Sequence, residues 1–142
     1  MSYSSNNRTL RISMWIIAVL TVSLLAACAA QPVKDVANTE WMLESINGVP
    51  VMEGIEITAS FTENQISGSS GCNSYSGGYE VDGTTLSITS PMPSTMMACD
   101  EDIMDLELAF LMALQSSQSF DIQNGALIIT SANGASLNFA AQ

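Results

Sequence analysis

The fold of this 142-residue chain is constrained most strongly by paired turn residues. Asn-Gly and Asp-Gly pairs readily supply the φ > 0 positions of tight β-hairpin turns. They occur at Asn47-Gly48, Asp82-Gly83, Asn124-Gly125 and Asn133-Gly134. Apolar and polar residues alternate with period two in the segments around them, as in half-buried strands. The sequence therefore predicts hairpins and a mostly antiparallel sheet from about residue 39 onward.

Most of the predicted elements are strands, and one is a helix. The strands cover residues 41–46, 55–61, 65–69, 78–81, 85–89, 120–123, 127–130 and 137–140. The glycine-rich stretch 71–78 is expected to be a loop or a strongly bent strand. A helix is predicted from Asp100 to about Gln115, because apolar residues recur there at three- and four-residue steps. Its apolar face consists of Ile103, Leu106, Phe110, Ala113 and Leu114. We expect an α+β fold whose sheet curls into a barrel or carries the helix on one face or end.

The N-terminal residues have the pattern of a bacterial lipoprotein signal peptide. An apolar run covers residues 14–27, which is shorter than the roughly 20 residues of a transmembrane helix. Arg8 and Arg11 precede this run, as basic residues do in signal sequences. The run leads into Leu25-Ala26-Ala27-Cys28, which resembles the bacterial lipobox. The resemblance implies that residues 1–27 are removed and that the thiol of Cys28 carries lipid.

This processing site sets the expected domain organisation. Residues 28–38 are predicted to be a lipidated tether and residues 39–142 a single domain. Ala29, rather than an aspartate, follows the lipidated cysteine. By the usual sorting rule of diderm bacteria, that resembles an outer-membrane destination. We therefore expect the protein to be located at the periplasmic face of the outer membrane. One acyl chain would bind a protein to a membrane only marginally, whereas two or three chains hold it there.

The charge of the mature chain excludes several classes of partner. The chain has 3 basic and 14 acidic residues, and two of the basic ones precede Cys28, so one basic residue and a formal side-chain charge of −13 remain. Nucleic acid is excluded as a partner, because phosphates are bound by lysine and arginine. Binding to anionic lipid through a basic patch is excluded for the same reason. A solvated acidic surface, a cation site and a basic partner all remain open.

Histidine is absent from the chain, which removes the usual general base and a common metal ligand. No serine lies in a nucleophile motif, and no pair of carboxylates is singled out by its spacing. We therefore expect no catalytic residue, no cofactor and no enzymatic activity.

Three sequence blocks resemble the META domain family. The first, residues 41–48, reads Trp-Met-Leu-Glu-Ser-Ile-Asn-Gly, and the second, residues 67–77, contains Gly71-Cys72-Asn73. The third, residues 94–99, ends at Cys99 and is followed by an acidic helix with Glu107 and Phe110-Leu111. The resemblance as a whole covers about residues 39–142. The resemblance implies a compact, barrel-like structure of mostly antiparallel strands with one main helix.

The functional implications of this resemblance are limited. Members are often envelope or secreted proteins linked to stress or antibiotic tolerance, and the chain resembles the HslJ-type heat-inducible lipoproteins. No agreed catalytic activity accompanies the family. We expect a monomeric, lipid-anchored envelope protein that serves stress response or envelope integrity by binding an envelope protein or a small ligand.

Two cysteines remain when Cys28 is lipidated, namely Cys72 and Cys99. An even pair in an oxidising compartment is a candidate disulfide. A bridge across 27 residues would stabilise the domain by roughly 3.5 kcal/mol in the chain-entropy model. Two buried free thiols and a redox pair remain as alternatives, although no Cys-x-x-Cys motif or neighbouring cation supports a reactive thiol.

Two further clusters suggest an alternative function as a metal- or redox-responsive protein. The acidic cluster consists of Asp100, Glu101, Asp102, Asp105 and Glu107. It is interpreted as a solvated helix start that meets the helix dipole favourably, with a cation site as the alternative. Met92, Met96, Met97 and Met104 surround Cys99 and predict adaptable packing, with a copper(I) site as the alternative. No residue is assigned as a metal ligand.

Overall fold

The computed structural model describes residues 35–142, which form nine strands and one helix. The strands are β1 (Thr39–Ile46), β2 (Val49–Pro50), β3 (Thr58–Phe61), β4 (Gln65–Ser69), β5 (Ser74–Asp82), β6 (Thr85–Ile88), β7 (Ser117–Gln123), β8 (Ala126–Ser131) and β9 (Ser136–Ala141). The helix is α1 (Glu101–Gln115). The predicted signal peptide and Cys28 lie outside the described residues. Within residues 35–142, no helix is long and apolar enough to cross a membrane.

Eight of the strands form a closed antiparallel barrel. Neighbours pair in the order β1-β3-β4-β5-β6-β7-β8-β9, and β9 pairs back onto β1 from Trp41–Ala141 to Ile46–Leu137. The two-residue strand β2 adds to the far end of β1. The barrel with one helix confirms the predicted fold class. Among residues 35–142, closure also leaves no long unpaired sheet edge, which would otherwise be a template for aggregation.

The predicted turn residues lie between the strands of successive hairpins. Asn47 and Gly48 have φ of 52° and 77°, and Asn124 and Gly125 have φ of 52° and 78°. Both residues of each pair thus occupy the left-handed region, as a type I′ hairpin turn requires. These two pairs join β1 to β2 and β7 to β8.

Part of the glycine-rich stretch 71–78 is more regular than a loop. Its last five residues open β5, which runs for nine residues against β4. Only residues 71–73 turn, and Gly71 has φ of 112°, which L side chains rarely adopt. At Gly68, a Cβ would lie 2.1 Å from the carbonyl oxygen of Thr58. The glycines here therefore permit a tight turn and a close approach of two backbones within a regular sheet.

The interior of the barrel is filled by side chains. Strand residues at alternate positions point inward, and α1 contributes Phe110, Ala113 and Leu114 to the same core. The ring of Phe110 lies edge-on to Tyr75 and Phe139, with centroids 5.5 and 6.4 Å apart. The helix contacts β6, β8 and β9. The barrel therefore encloses a packed core instead of a ligand cavity.

The folded structure begins before β1. Val36, in the segment predicted as tether, has no solvent exposure and packs in the core. Its carbonyl oxygen accepts a hydrogen bond from the hydroxyl of Thr39. The described residues 35–142 belong to one compact unit. This unit contains its own core, so it is suited to study as an isolated domain.

Replacing Phe110 with alanine should destabilise the isolated domain by about 3–5 kcal/mol, because a buried ring is lost and a cavity remains. Leu108 lies on the same helix but is 58% exposed, and Leu108→Ala should change stability by less than about 0.5 kcal/mol. Guanidinium unfolding followed by tryptophan fluorescence measures both. Similar losses for the two variants would contradict this packing of α1.

Candidate functional site

The side chain of Glu107 lies inside the domain, although sequence analysis assigned it to an exposed acidic cluster. It is 6% exposed and projects from the same side of α1 as Phe110 and Leu114. Its spacing from Ile103, Phe110 and Leu114 is four, three and seven residues, which places it on the predicted apolar face. The burial of Glu107 could have been predicted from this spacing in the sequence.

Donors from the turn at residues 70–73 surround the carboxylate. The Ser70 hydroxyl donates to Oε2 at 2.6 Å, and the backbone N–H of Asn73 donates to the same oxygen at 2.8 Å. The side-chain amide of Asn73 donates to Oε1 at 2.9 Å. Both carboxylate oxygens are thus satisfied from one turn, which explains how a charge is tolerated beside the core.

Asn73 extends this network to the loop before α1. Its Oδ1 accepts hydrogen bonds from the backbone N–H of Met97 at 2.7 Å and from the hydroxyl of Thr95 at 2.8 Å. Its Nδ2 also donates to the carbonyl oxygen of Met97 at 3.3 Å. One buried amide therefore connects the 70–73 turn, the 94–97 loop and the helix.

A disulfide joins the 70–73 turn covalently to the end of the loop before α1. Cys72 and Cys99 are bonded, with their Cα atoms 6.0 Å apart. Of the alternatives left open by the sequence, the structure contains the bridged form. The alternative copper(I) site would need the thiolate of Cys99, which is already bonded to Cys72.

The electrostatics of Glu107 favour its ionised form. Burial raises the pKa of the carboxyl, but hydrogen bonds from the Ser70 hydroxyl, the Asn73 side chain and the backbone N–H groups of Asn73 and Cys72 lower it more. The pKa therefore lies below its ordinary value. A general acid or base works best with a pKa near the operating pH, so this shift suits an ionic anchor better than proton transfer at neutral pH.

The rest of the acidic cluster faces solvent. Asp100, Glu101, Asp102 and Asp105 are all exposed, and Asp100 makes no side-chain cap for α1. Within residues 35–142, no three histidine, cysteine, aspartate or glutamate side chains are grouped to hold a metal ion. The predicted cluster is therefore divided between one buried anchor and an exposed helix start.

Two tyrosines of β5 have structural roles in the core. Tyr75 and Tyr79 are buried, and their hydroxyls donate to the carbonyl oxygens of Thr58 and Thr62 at 2.9 and 2.5 Å. Burial raises the pKa of both phenols, and the charge of Asp35 adds to the effect at Tyr79. They attach β5 to β3, from which β4 separates it in the sheet, and to the residue after β3.

Apolar side chains form two depressions beside α1. A groove of about 530 Å³ follows the C-terminal half of the helix and is lined by Met92, Leu111, Met112 and Ala132, among others. A smaller hollow of about 300 Å³ includes Met96, Met97 and Met104 together with Asn73 and Glu107. The hydrogen-bonded loop therefore places methionines next to the helix, and this face is the candidate functional site.

Glu107→Gln should lower stability, because the amide nitrogen meets groups that donate hydrogen bonds. Each donor left unsatisfied costs roughly 1–3 kcal/mol. The pKa of Glu107 is lower in the folded state, so its stabilisation is complete above the ordinary value of 4.5 and is lost as the pH falls through the folded-state pKa. The glutamine variant should lack this part of the pH dependence. Urea unfolding of the wild type and the variant between pH 3 and 7 measures this pH dependence of stability.

Glu80→Gln is the matched control, since Glu80 is exposed on β5. It should keep the stability of the wild type at pH 7. A Glu107→Gln variant with wild-type stability at pH 7 would show that the network does not anchor the helix.

Comparison with known proteins agrees with this architecture. The META domain family model matches residues 34–142. An NMR structure of a protein from Burkholderia xenovorans is similar, with a TM-score of 0.63, 25% identity, and 75% of this chain and 83% of the other covered. A second NMR structure has a TM-score of 0.60 and 27% identity, covering 72% of this chain and 88% of the other.

A crystal structure of a DUF4847 family protein from Bacteroides vulgatus shares the fold at 18% identity, with a TM-score of 0.53, and covers 73% of this chain and 92% of the other. No curated protein gives a match. Since the family model covers the whole barrel, the helix and the Glu107 network, the chain belongs to the META domain family.

Proposed function

We propose that this META domain protein is a non-enzymatic lipoprotein of the cell envelope that binds a protein or a small ligand, in stress response or envelope integrity. The observation that carries the binding role is the apolar groove beside α1. The barrel interior is packed, so the groove on its outside offers the space that an apolar group of a partner would fill.

The chemistry of the buried carboxylate supports binding over catalysis. Glu107 accepts hydrogen bonds on both oxygens from its own chain, and its lowered pKa keeps it ionised at neutral pH. The hydrogen bonds of Glu107 and Asn73 hold the 94–97 loop and α1 on the barrel. The role of the network is therefore to keep the surface around the groove in place.

Three features support an anchored location in the envelope. The lipobox-like segment ends at Cys28, and Ala29 follows it. The Cys72–Cys99 disulfide suits an oxidising compartment outside the cytoplasm. The strong negative charge of the domain opposes contact with anionic lipid, so acyl chains on Cys28 would supply the attachment.

The anchor would also limit where the domain acts. Seven residue steps separate Cys28 from Asp35, the first described residue. Fully extended, they span at most about 25 Å. A lipidated Cys28 would thus keep the domain close to the membrane surface, where a membrane-bound or periplasmic partner could reach the groove.

Expression of the full chain in a diderm bacterium with radiolabelled palmitate tests the anchor. Wild type should be labelled and sediment with outer membranes, and Cys28→Ser should lose the label because it lacks the acceptor thiol. The double variant Cys72→Ser/Cys99→Ser is the matched control, since it removes two thiols but keeps Cys28. An unlabelled wild type, or label retained by Cys28→Ser, would contradict a lipid anchor at Cys28.

A further inference from the structure

One face of α1 presents acidic residues followed by apolar residues along a single line. Glu101, Asp105, Leu108 and Met112 recur at steps of four, three and four residues, and all are exposed. Asp102 is an exposed neighbour on the first turn. We call these five residues the acidic–apolar stripe. From Glu101 to Met112 it spans about 17 Å, at 1.5 Å per residue.

Two large exposed apolar side chains lie on this stripe, and two more lie on the loop before α1. Leu108 and Met112 are 58% and 63% exposed, and on the loop before the helix Met96 and Met97 are 97% and 59% exposed. Met112 also lines the groove. Methionine is flexible and polarisable, so it adapts to varied apolar partners. An apolar surface of this kind, bordered by charges, is typical of a protein-docking site.

The acidic half of the stripe has no cation to pair with in its own domain. No lysine, arginine or histidine occurs after Lys34, so residues 35–142 offer no basic side chain to Glu101, Asp102 and Asp105. Acidic residues at a helix start interact favourably with the helix dipole, but this effect fades beyond the first turn. Asp105 lies past that turn. A basic side chain that pairs with it would come from outside residues 35–142.

The negative charge of the domain also favours one class of partner for the stripe. A second copy of this domain would bring its own acidic surface, and an anionic lipid surface would be repelled as well. A protein segment with lysine or arginine at one end and apolar residues along one face would match both halves of the stripe. Such helix-in-groove docking uses apolar anchors at three- and four-residue steps.

We propose that the acidic–apolar stripe docks a basic amphipathic segment of a partner protein. Apolar side chains of the segment contact Leu108 and Met112 and enter the groove, and its basic side chains lie beside Glu101, Asp102 and Asp105. This inference rests on the proposed binding function and names the chemistry of the partner.

Three synthetic 14-residue peptides test this chemistry on the isolated domain. They share one leucine pattern at helical spacing and carry only lysine, only glutamine or only glutamate at the other positions. Fluorescence anisotropy at 25 and 500 mM salt gives the affinities. The lysine peptide should bind about tenfold more tightly than the glutamine peptide at low salt, and salt should reduce that difference to below about threefold.

Two pairs of variants locate the site. Leu108→Ser/Met112→Ser should weaken lysine-peptide binding about tenfold or more, whereas Val49→Ser/Val81→Ser, which removes exposed apolar residues on β2 and β5, should not. Asp102→Asn/Asp105→Asn should weaken it about threefold or more at low salt, and Glu56→Gln/Glu80→Gln should have less effect with the same loss of charge.

The possible failures have different meanings. Equal binding of the lysine and glutamine peptides at the stripe would keep an apolar docking function and overturn the basic partner. Equal effects of each variant pair and its control would show non-specific attraction to an acidic protein and overturn the site. If no peptide binds the folded domain, both this inference and protein docking at the groove fail.

Discussion

The hydrogen-bonded carboxylate of Glu107 is the interaction on which the candidate site depends. It connects α1 to the 70–73 turn, and Asn73 carries the connection to Met97 in the loop before the helix. The Cys72–Cys99 bridge joins the same turn and loop covalently. The loop between β6 and α1 contains two prolines and forms no strand or helix of its own. The hydrogen bonds and the disulfide together hold this loop in place. The groove and the exposed methionines keep their places because of these contacts.

In this arrangement the contacts that stabilise the domain and the proposed docking surface lie on opposite sides of α1. The closed barrel and its packed interior provide the stability, with Phe110 as the main contribution of the helix to the core. The opposite side of the helix is left with carboxylates and apolar side chains that the domain itself does not cover. Because the barrel interior is packed, a partner would bind such an outer face, and the negative charge of the domain would select against anionic partners.

Local sequence patterns predicted most of the fold. The Asn-Gly pairs set the hairpins, and β4 has the predicted bounds of 65–69. Three features depended on distant residues. Glu107 is buried because its donors come from a turn more than 30 positions away. The stretch 74–78 is a strand because β4 pairs with it, despite its glycines. Val36 belongs to the core although its neighbours have the composition of a linker.

Carbon-13 NMR titration of the Glu107 carboxyl group tests the central claim most directly. An ionised anchor that accepts hydrogen bonds from Ser70, Asn73 and Cys72 should titrate below the ordinary glutamate pKa of 4.5, with the amide resonance of Asn73 changing over the same pH range. A pKa at or above 4.5 in the folded domain would show that burial outweighs these hydrogen bonds. It would contradict the account of Glu107 as the ionic anchor of the site.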